Sequence, residues 1–327
     1  MFNILITARS FGFASGKAMD AFKNNHAIKV VKPDHTAAFN EQEMCDLVLG
    51  QDAVIVGTDK ITKKVIARAD RLKVISKHGV GVDNVDIAAA TEAGIIVTNL
   101  LGMNDRTVAD MAFGMILALS RQICCADRKV KNRHLDKILA HDVWGKTLGV
   151  IGTGQIGKNL IRRAKAFDMK VIAYDLFQND EAAKQIDFTY VSLDQLLAEA
   201  DIISIHVPRT PETEGLIGTE AFEKMKEEAY LVNTARGGIV DEAALVEALK
   251  TGKIAGAALD VFESTFLQMK DSYSLENLIL TPHIAAYTYE TLEAMDMVLV
   301  EEYERIAQGK MPETINIVNR EVTGYRK

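Results

Sequence analysis

The segment 148–175 constrains this chain more than any other. It reads L-G-V-I-G-T-G-Q-I-G-K-N-L-I-R-R-A-K-A-F-D-M-K-V-I-A-Y-D. Residues 148–151 form an apolar run of strand length. Gly152, Gly154 and Gly157 then give G-x-G-x-x-G, and Ile156, Leu160, Ile161 and Ala164 follow at helical spacing. A second apolar run, 171–174, ends in Asp175. Each glycine has its own task. Gly152 allows the tight turn out of the strand, Gly154 lets backbone approach a pyrophosphate, and Gly157 lets the helix pack on the strand. The helix N-terminus, with Gln155 and Ile156, presents free N–H groups and partial positive charge to phosphate oxygens. Asp175 stands about 20 residues on, where a carboxylate accepts hydrogen bonds from a ribose diol. That carboxylate repels a 2′-phosphate and Leu176 brings no charge to offset it, so the segment predicts NAD rather than NADP. A lone G-x-G-x-x-G is a weak signal; the strand before it, the helix after it and the acid at the next strand's end make this one a dinucleotide fingerprint.

The same alternation runs through the rest of the chain. Short apolar runs at 4–6, 28–31, 53–56, 74–75 and 95–97, with helical patterns between them at 62–69 and 85–93, predict a small parallel α/β domain over 1–100. Residues 105–133 read as one long helix, capped by Asp105 and striped by Val108, Met111, Ala112, Met115, Ile116 and Leu119. After Asp175, strands are expected at 202–207, 230–233, 255–259 and 279–280, and helices at 193–199 and 242–250. These complete a second sheet domain over 101–287. A last amphipathic helix at 287–308, followed by an extended P-E-T-I-N-I-V-N, returns residues 288–327 to the first domain.

Ligands of doubly wound sheets bind at the C-terminal ends of the strands. That rule marks His206 and Pro208, Thr234, Ala235 and Arg236, Asp260 and His283. The loop K-H-G-V-G-V-D-N-V-D at 77–86 is a further candidate. Its Gly79 and Gly81 leave backbone amides, with that of Val80, for a carboxylate, and Lys77 and His78 would add charge or donors. The same residues equally suit a plain glycine-rich turn between strand and helix. Net charge is −7 with no basic tail or stripe, which argues against nucleic acid and against an anionic membrane as partner. Cys45, Cys124 and Cys125 form no zinc pattern, so no metal is expected and reduced thiols suit a cytoplasmic protein. The opening M-F-N-I-L-I-T reads as a strand rather than a signal peptide, and no apolar run is long enough to cross a bilayer.

Six strings in order resemble the D-isomer-specific 2-hydroxyacid dehydrogenases, most closely the phosphoglycerate dehydrogenase and glyoxylate/hydroxypyruvate reductase branches. They are G-V-G-V-D-N-V-D (79–86), W-G-K-T-L-G-V-I-G-T-G-Q-I-G (144–157), H-V-P-R-T-P-E-T-E-G-L-I-G (206–218), N-T-A-R-G-G-I-V-D-E (233–242), A-A-L-D-V-F-E (257–263) and T-P-H-I-A-A-Y-T (281–288). The resemblance implies an α/β fold of two Rossmann-like doubly wound parallel-sheet domains, with a flavodoxin-like substrate domain discontinuous around an inserted NAD-binding domain. It also implies a cofactor cleft between domains and a homodimer built through the nucleotide domains. It carries Arg236 over as the residue that binds substrate carboxylate and carbonyl, and His283 as the acid/base. Gln155, Ile156, Asp175, Val207, Thr234, Ala235, Asp260 and His283 fall where family members line NAD, and His206, Pro208 and Ala285 are expected at the cofactor with them. Lys77, His78, Gly79 and Val80 fall on the substrate-carboxylate loop.

Two departures bear on chemistry. The family usually reads D-V-F-E-x-E-P, and its second Glu pairs with the catalytic His. Here D-V-F-E-S-T-F puts Thr265 at that position, while Glu263 matches the first, non-catalytic acid. Phosphoglycerate dehydrogenases often carry an Arg on the loop near Val56 for the phosphate; here V-G-T-D-K has Gly57, with Lys60 nearby, and no added regulatory domain is expected. The expected activity is interconversion of a small 2-oxo acid and its D-2-hydroxy acid with NAD. The lost Glu leaves two alternatives open: an NAD-binding sensor or corepressor-like scaffold without turnover, and oxidation of the formate or phosphonate type.

Overall fold

The computed structural model describes residues 1–269, 272–312 and 316–325. The chain forms two units, Met1–Asn104 with Tyr287–Lys327, and Asp105–Ala286. The first boundary lies a few residues beyond residue 100, because Leu100 is buried in the first unit's core, donates its N–H to Gly79 O, and is followed by Met103 packed on the same cluster.

Among the described residues the first unit has five parallel strands: β1 (Phe2–Ile6), β2 (Ile28–Val31), β3 (Ala53–Val56), β4 (Val74–Lys77) and β5 (Ile96–Thr98), in the order β2-β1-β3-β4-β5. This is the flavodoxin-like order. The central strands read as unbroken apolar runs because both faces are covered: all four residues of β3 are buried. Side chains alternate between two cores. Ile4, Ile6, Ile55, Val74 and Ile96 face one with Phe22 and Tyr303; Leu5, Val54, Val56, Ile75 and Val97 face the other with Met44 and Val65. The helix Tyr289–Ala307, capped by Thr288, lays Met295, Leu299, Tyr303 and Ile306 on the first core. Each such side chain contributes about 1.5–3 kcal/mol on burial. Of the stretch expected to be extended at 312–319, residues 313–315 lie outside the described residues. Beyond them, Ile317 bridges antiparallel to Thr98, and Asn319 accepts from Val97 N–H and donates to Ile95 O.

Among the described residues the second unit has seven parallel strands: β6 (Thr147–Ile151), β7 (Lys170–Tyr174), β8 (Thr189–Tyr190), β9 (Ile202–Ile205), β10 (Tyr230–Asn233), β11 (Gly256–Leu259) and β12 (Leu278–Leu280). Their order is β12-β11-β10-β9-β6-β7-β8. The order reverses at β6, which pairs with both β7 and β9, so the ligand crevice of this sheet opens at the C-terminal ends of β6 and β9.

The expected single helix at 105–133 is two helices, Asp105–Ser120 and Ile123–Lys131, meeting at 62°. Gln122 adopts a left-handed φ of +53°, and both its N–H and its side-chain amide donate to Leu119 O, which ends the first helix. No single helix among the described residues is long and apolar enough to cross a membrane.

Candidate active site

The three glycines divide their work as the fingerprint requires. Gly152 has φ of +97°, and a Cβ there would lie 2.6 Å from His206 O. A Cβ on Gly157 would run into Gly152 O. Both positions are closed by backbone. Gly154 is the opposite: nothing lies within 4 Å of where its Cβ would stand. It caps the helix Gln155–Ala166, whose first ladder bond runs from Lys158 N–H to Gly154 O. The N–H groups of exposed Gln155 and half-buried Ile156 therefore precede the ladder and face the open space beside Gly154.

Asp175 is half-buried at the end of β7. Its Oδ2 accepts from Thr153 N (2.6 Å) and Thr153 Oγ1 (2.9 Å), and its Oδ1 accepts from Phe177 N (2.9 Å). Tyr190 OH, 2.8 Å from Thr153 Oγ1, extends the network and accepts from Asn179 N. The carboxylate is thus fixed beside the fingerprint turn with no cation among these contacts, and Leu176 next to it is exposed.

The ends of β9 and β10 carry two buried polar atoms without a partner among the described residues, His206 Nδ1 and Thr234 Oγ1. His206 donates its backbone N–H to Ile151 O, and its Nε2 lies 2.9 Å from Ser204 Oγ. Burial pushes its pKa down from 6.5 to about 4, so the ring is neutral. The expected strand at 202–207 stops at Ile205, leaving His206, half-buried Val207 and exposed Pro208 in the turn beyond it. Unpaired buried polar atoms call for a partner. With the open cradle at Gly154 and the fixed carboxylate of Asp175, they make this edge fit a dinucleotide.

Asn233 shapes the next turn. Its Oδ1 accepts from Ala235 N (2.9 Å) and its Nδ2 donates to Arg236 O (2.8 Å). Arg236 is half-buried, and its Nη1 donates to Ala235 O.

Asp260 turns its carboxylate into the 281–285 loop. Oδ1 accepts from Thr281 Oγ1 (2.5 Å) and Ile284 N (2.9 Å), Oδ2 accepts from the buried Ala285 N (2.8 Å), and its backbone O accepts from His283 N (2.9 Å). His283 is exposed and left-handed at φ of +57°, a conformation that a non-glycine residue keeps only when its surroundings hold it. Asp260 supplies that hold.

Thr265 is exposed at the start of the short 3-10 turn Phe266–Gln268. Glu263 is engaged elsewhere: Arg209 pairs with it and with Glu214, and the Glu263 N–H donates to Glu242 Oε1 (2.6 Å). Burial, reinforced by the neighbouring Glu263 and Asp241, raises the Glu242 carboxyl above its ordinary pKa.

In the first unit, the loop after β4 departs from expectation at two residues, His78 and Gly79. Lys77 Nζ donates to Gly57 O and Asn84 Oδ1. His78 is not an exposed donor: it is buried, with both ring nitrogens engaged by Ser10 and Asp296. Gly79, at φ of +150°, uses its own N–H on Lys77 O, so the amides of Val80 and Gly81 are the ones without a partner among the described residues. Sequence reading passed over Ser10 and Asp296. The signal for Asp296 was a charged residue inside the apolar stripe of Leu292, Met295 and Leu299. Among the described residues, no group of His, Cys, Asp or Glu is placed to hold a metal ion.

Residues 113–285 match the NAD binding domain of the D-isomer specific 2-hydroxyacid dehydrogenases. The chain is 41% identical over 276 residues to a glyoxylate reductase from Korarchaeum cryptofilum, covering 82% of each protein. It is 44% identical over 299 residues to a D-3-phosphoglycerate dehydrogenase from Archaeoglobus fulgidus, covering 90% of this chain and 56% of that protein, so it spans little more than half of that relative's length. A solved D-lactate dehydrogenase from Aquifex aeolicus, complexed with NAD and lactic acid, superposes with a TM-score of 0.83 at 32% identity, over 97% of this chain and 99% of that one. The chain belongs to the D-isomer-specific 2-hydroxyacid dehydrogenases, a family of NAD-dependent oxidoreductases.

Proposed function

We propose that the protein interconverts a small 2-oxo acid and its D-2-hydroxy acid, with Arg236 and His283 at the reacting groups. The observation that carries this reading is that both side chains leave turns held by buried polar residues: Asn233 beneath Arg236 and Asp260 beneath His283. A guanidinium grips a carboxylate through two parallel hydrogen bonds and polarises the adjacent carbonyl. An imidazole trades a proton with the hydroxyl at neutral pH. When bound, NADH would supply the hydride for the carbonyl carbon. His283 gives its proton to the carbonyl oxygen during reduction and takes it back during oxidation, while Arg236 offsets the charge growing on that oxygen. Gly152, Gly154, Gln155, Asp175, His206 and Thr234 would hold the cofactor.

Glyoxylate and hydroxypyruvate stand first among substrates. The Korarchaeum cryptofilum relative, matched over most of both chains, is named a glyoxylate reductase, and Gly57 provides no side chain for a phosphate. The test is NADH oxidation with glyoxylate, hydroxypyruvate, phosphohydroxypyruvate and branched 2-oxo acids; no turnover with any of them overturns the reading. One observation favours a second reading, an NAD-binding sensor: Thr265 stands where the family places an acid, and Glu263 is taken by Arg209. NADH binding without turnover of any substrate, formate and phosphite included, supports it. A homodimer is also proposed, because the nucleotide unit exposes Ile123, Val130, Leu135, Leu139 and Trp144 within one stretch, and a second copy would cover them. Sedimentation as a monomer at micromolar concentration refutes that.

A further inference from the structure

Asp296 lies on the buried face of the helix Tyr289–Ala307 and is 1% exposed. Its Oδ1 lies 2.8 Å from His78 Nε2, and its Oδ2 accepts the Gly12 N–H at 2.9 Å. His78 Nδ1 lies 2.7 Å from Ser10 Oγ. A carboxylate only accepts, so Nε2 carries the hydrogen; in the neutral ring Nδ1 then accepts the Ser10 hydroxyl proton. Every polar atom of the chain Ser10–His78–Asp296 is satisfied inside the fold, with the Phe11 ring edge-on to the imidazole at 5.8 Å.

A buried chain of this kind is poorly explained by stability, because apolar side chains of equal volume commonly serve as well or better. Its geometry suggests another use. Ser10 and Gly12 belong to the loop after β1, and His78 to the loop after β4. Both loops lie at the C-terminal, ligand-facing edge of the first sheet. One carboxylate thus fixes two of the loops at that edge. His78 is bonded through its own N–H to Val56 O and directly precedes Gly79, whose φ of +150° turns the open amides of Val80 and Gly81.

We infer that Ser10, His78 and Asp296 are positioning residues that hold the 79–81 loop in the geometry that receives the substrate carboxylate. The inference rests on the 2-oxo acid reading above. His78→Gln keeps a donor near the place of Nε2 but loses the acceptor for Ser10. His78→Asn keeps an acceptor near the place of Nδ1 but loses the Asp296 contact. Ser10→Ala removes only the last bond. In the full-length protein, each should raise KM for glyoxylate about five- to tenfold, the scale of one lost hydrogen bond, while kcat moves less than about threefold and KM for NADH stays put.

Hydrogen exchange by mass spectrometry supplies a readout that needs no turnover. Peptides covering Gly12, Gly79 and Leu100, whose N–H groups bond Asp296, Lys77 O and Gly79 O, should exchange about tenfold faster in His78→Asn, with β3 unchanged. An unchanged KM with unchanged exchange overturns the inference, and so does loss of protection across the whole unit. If wild-type protein turns over no 2-oxo acid, the functional reading falls. Exchange then decides the loop clamp alone: faster exchange confined to those peptides supports it, and none refutes it.

Discussion

Replacing Gly154 and Gly157 separately by alanine puts the two tasks of the fingerprint on two different measurements. A Cβ on Gly157 meets the backbone oxygen of Gly152, with Val150 Cγ1 a further 3.4 Å neighbour, and a main-chain oxygen inside a strand-to-helix turn has nowhere to go. Overpacking of this kind costs about 1–3 kcal/mol or more. For a unit the size of Asp105–Ala286, about 3 kcal/mol corresponds to a fall in Tm of roughly 6–12 °C. Gly154 sits at φ −62°, ψ −168°, which any residue adopts, in open space. There, alanine's smaller unfolded-state entropy, worth about 0.4–1 kcal/mol, offsets its weaker N-capping, so Tm should stay within about 2 °C. The added methyl, however, stands where a pyrophosphate approaches, and NADH Kd should rise at least tenfold, about 1.4 kcal/mol. Thermal melts and NADH fluorescence titrations on the two variants give a crossed result: one loses stability, the other affinity. Wild-type Kd in Gly154→Ala, or a wild-type melt in Gly157→Ala, refutes the assignment.

The fixed carboxylate of Asp175 and the neutral Leu176 predict at least roughly tenfold better kcat/KM with NADH than with NADPH, and equal values would contradict it. Arg236→Lys keeps charge but loses the planar fork, so kcat/KM should fall by roughly two to three orders of magnitude with NADH affinity unchanged; near-normal turnover removes Arg236 from the site. His206 is held at about 4 when folded against 6.5 when unfolded. Below pH 6.5 the unfolded chain binds a proton that the folded chain refuses, so stability is full above 6.5 and is lost as pH falls toward 4. At pH 5 the loss is about 2 kcal/mol, and urea melts at pH 7 and 5 should show His206→Gln relieved of it; identical pH dependence in both proteins counts against the burial argument.

The parallel strands were legible because burial on both faces writes them as apolar runs, as in A-V-I-V at β3. The fingerprint was legible because its glycines answer to local geometry. The break at 121–122 was not: it uses neither Gly nor Pro, and a left-handed Gln122 leaves no mark in composition. The two-residue edge strand Thr189–Tyr190 is too short for any period to register. His78 is expected to add charge or a donor to its loop, and nothing in the string K-H-G marks it as buried. Its burial depends on a carboxylate 218 residues away, and nothing near it in sequence reports that. Asp260 was placed correctly at a strand end, but its partners at 281–285 fix what its oxygens do.

The closure of the first sheet by Asn319 and of its core by Tyr303 has a consequence for how the molecule is made. Residues 1–104 leave the ribosome long before the helix Tyr289–Ala307 and the segment that bridges Thr98. At about 5–20 residues per second, roughly 10–40 s separate Asn104 from Asn319. Throughout that interval Val97 N–H and Ile95 O lack Asn319, and the sheet face later covered by Met295, Leu299 and Tyr303 is bare. The nucleotide unit, continuous from Asp105 to Ala286, completes itself within the same interval. The growing chain therefore carries a finished unit and an unfinished, sticky one side by side. Nascent-chain aggregation and chaperone engagement should accordingly concentrate on the first hundred residues.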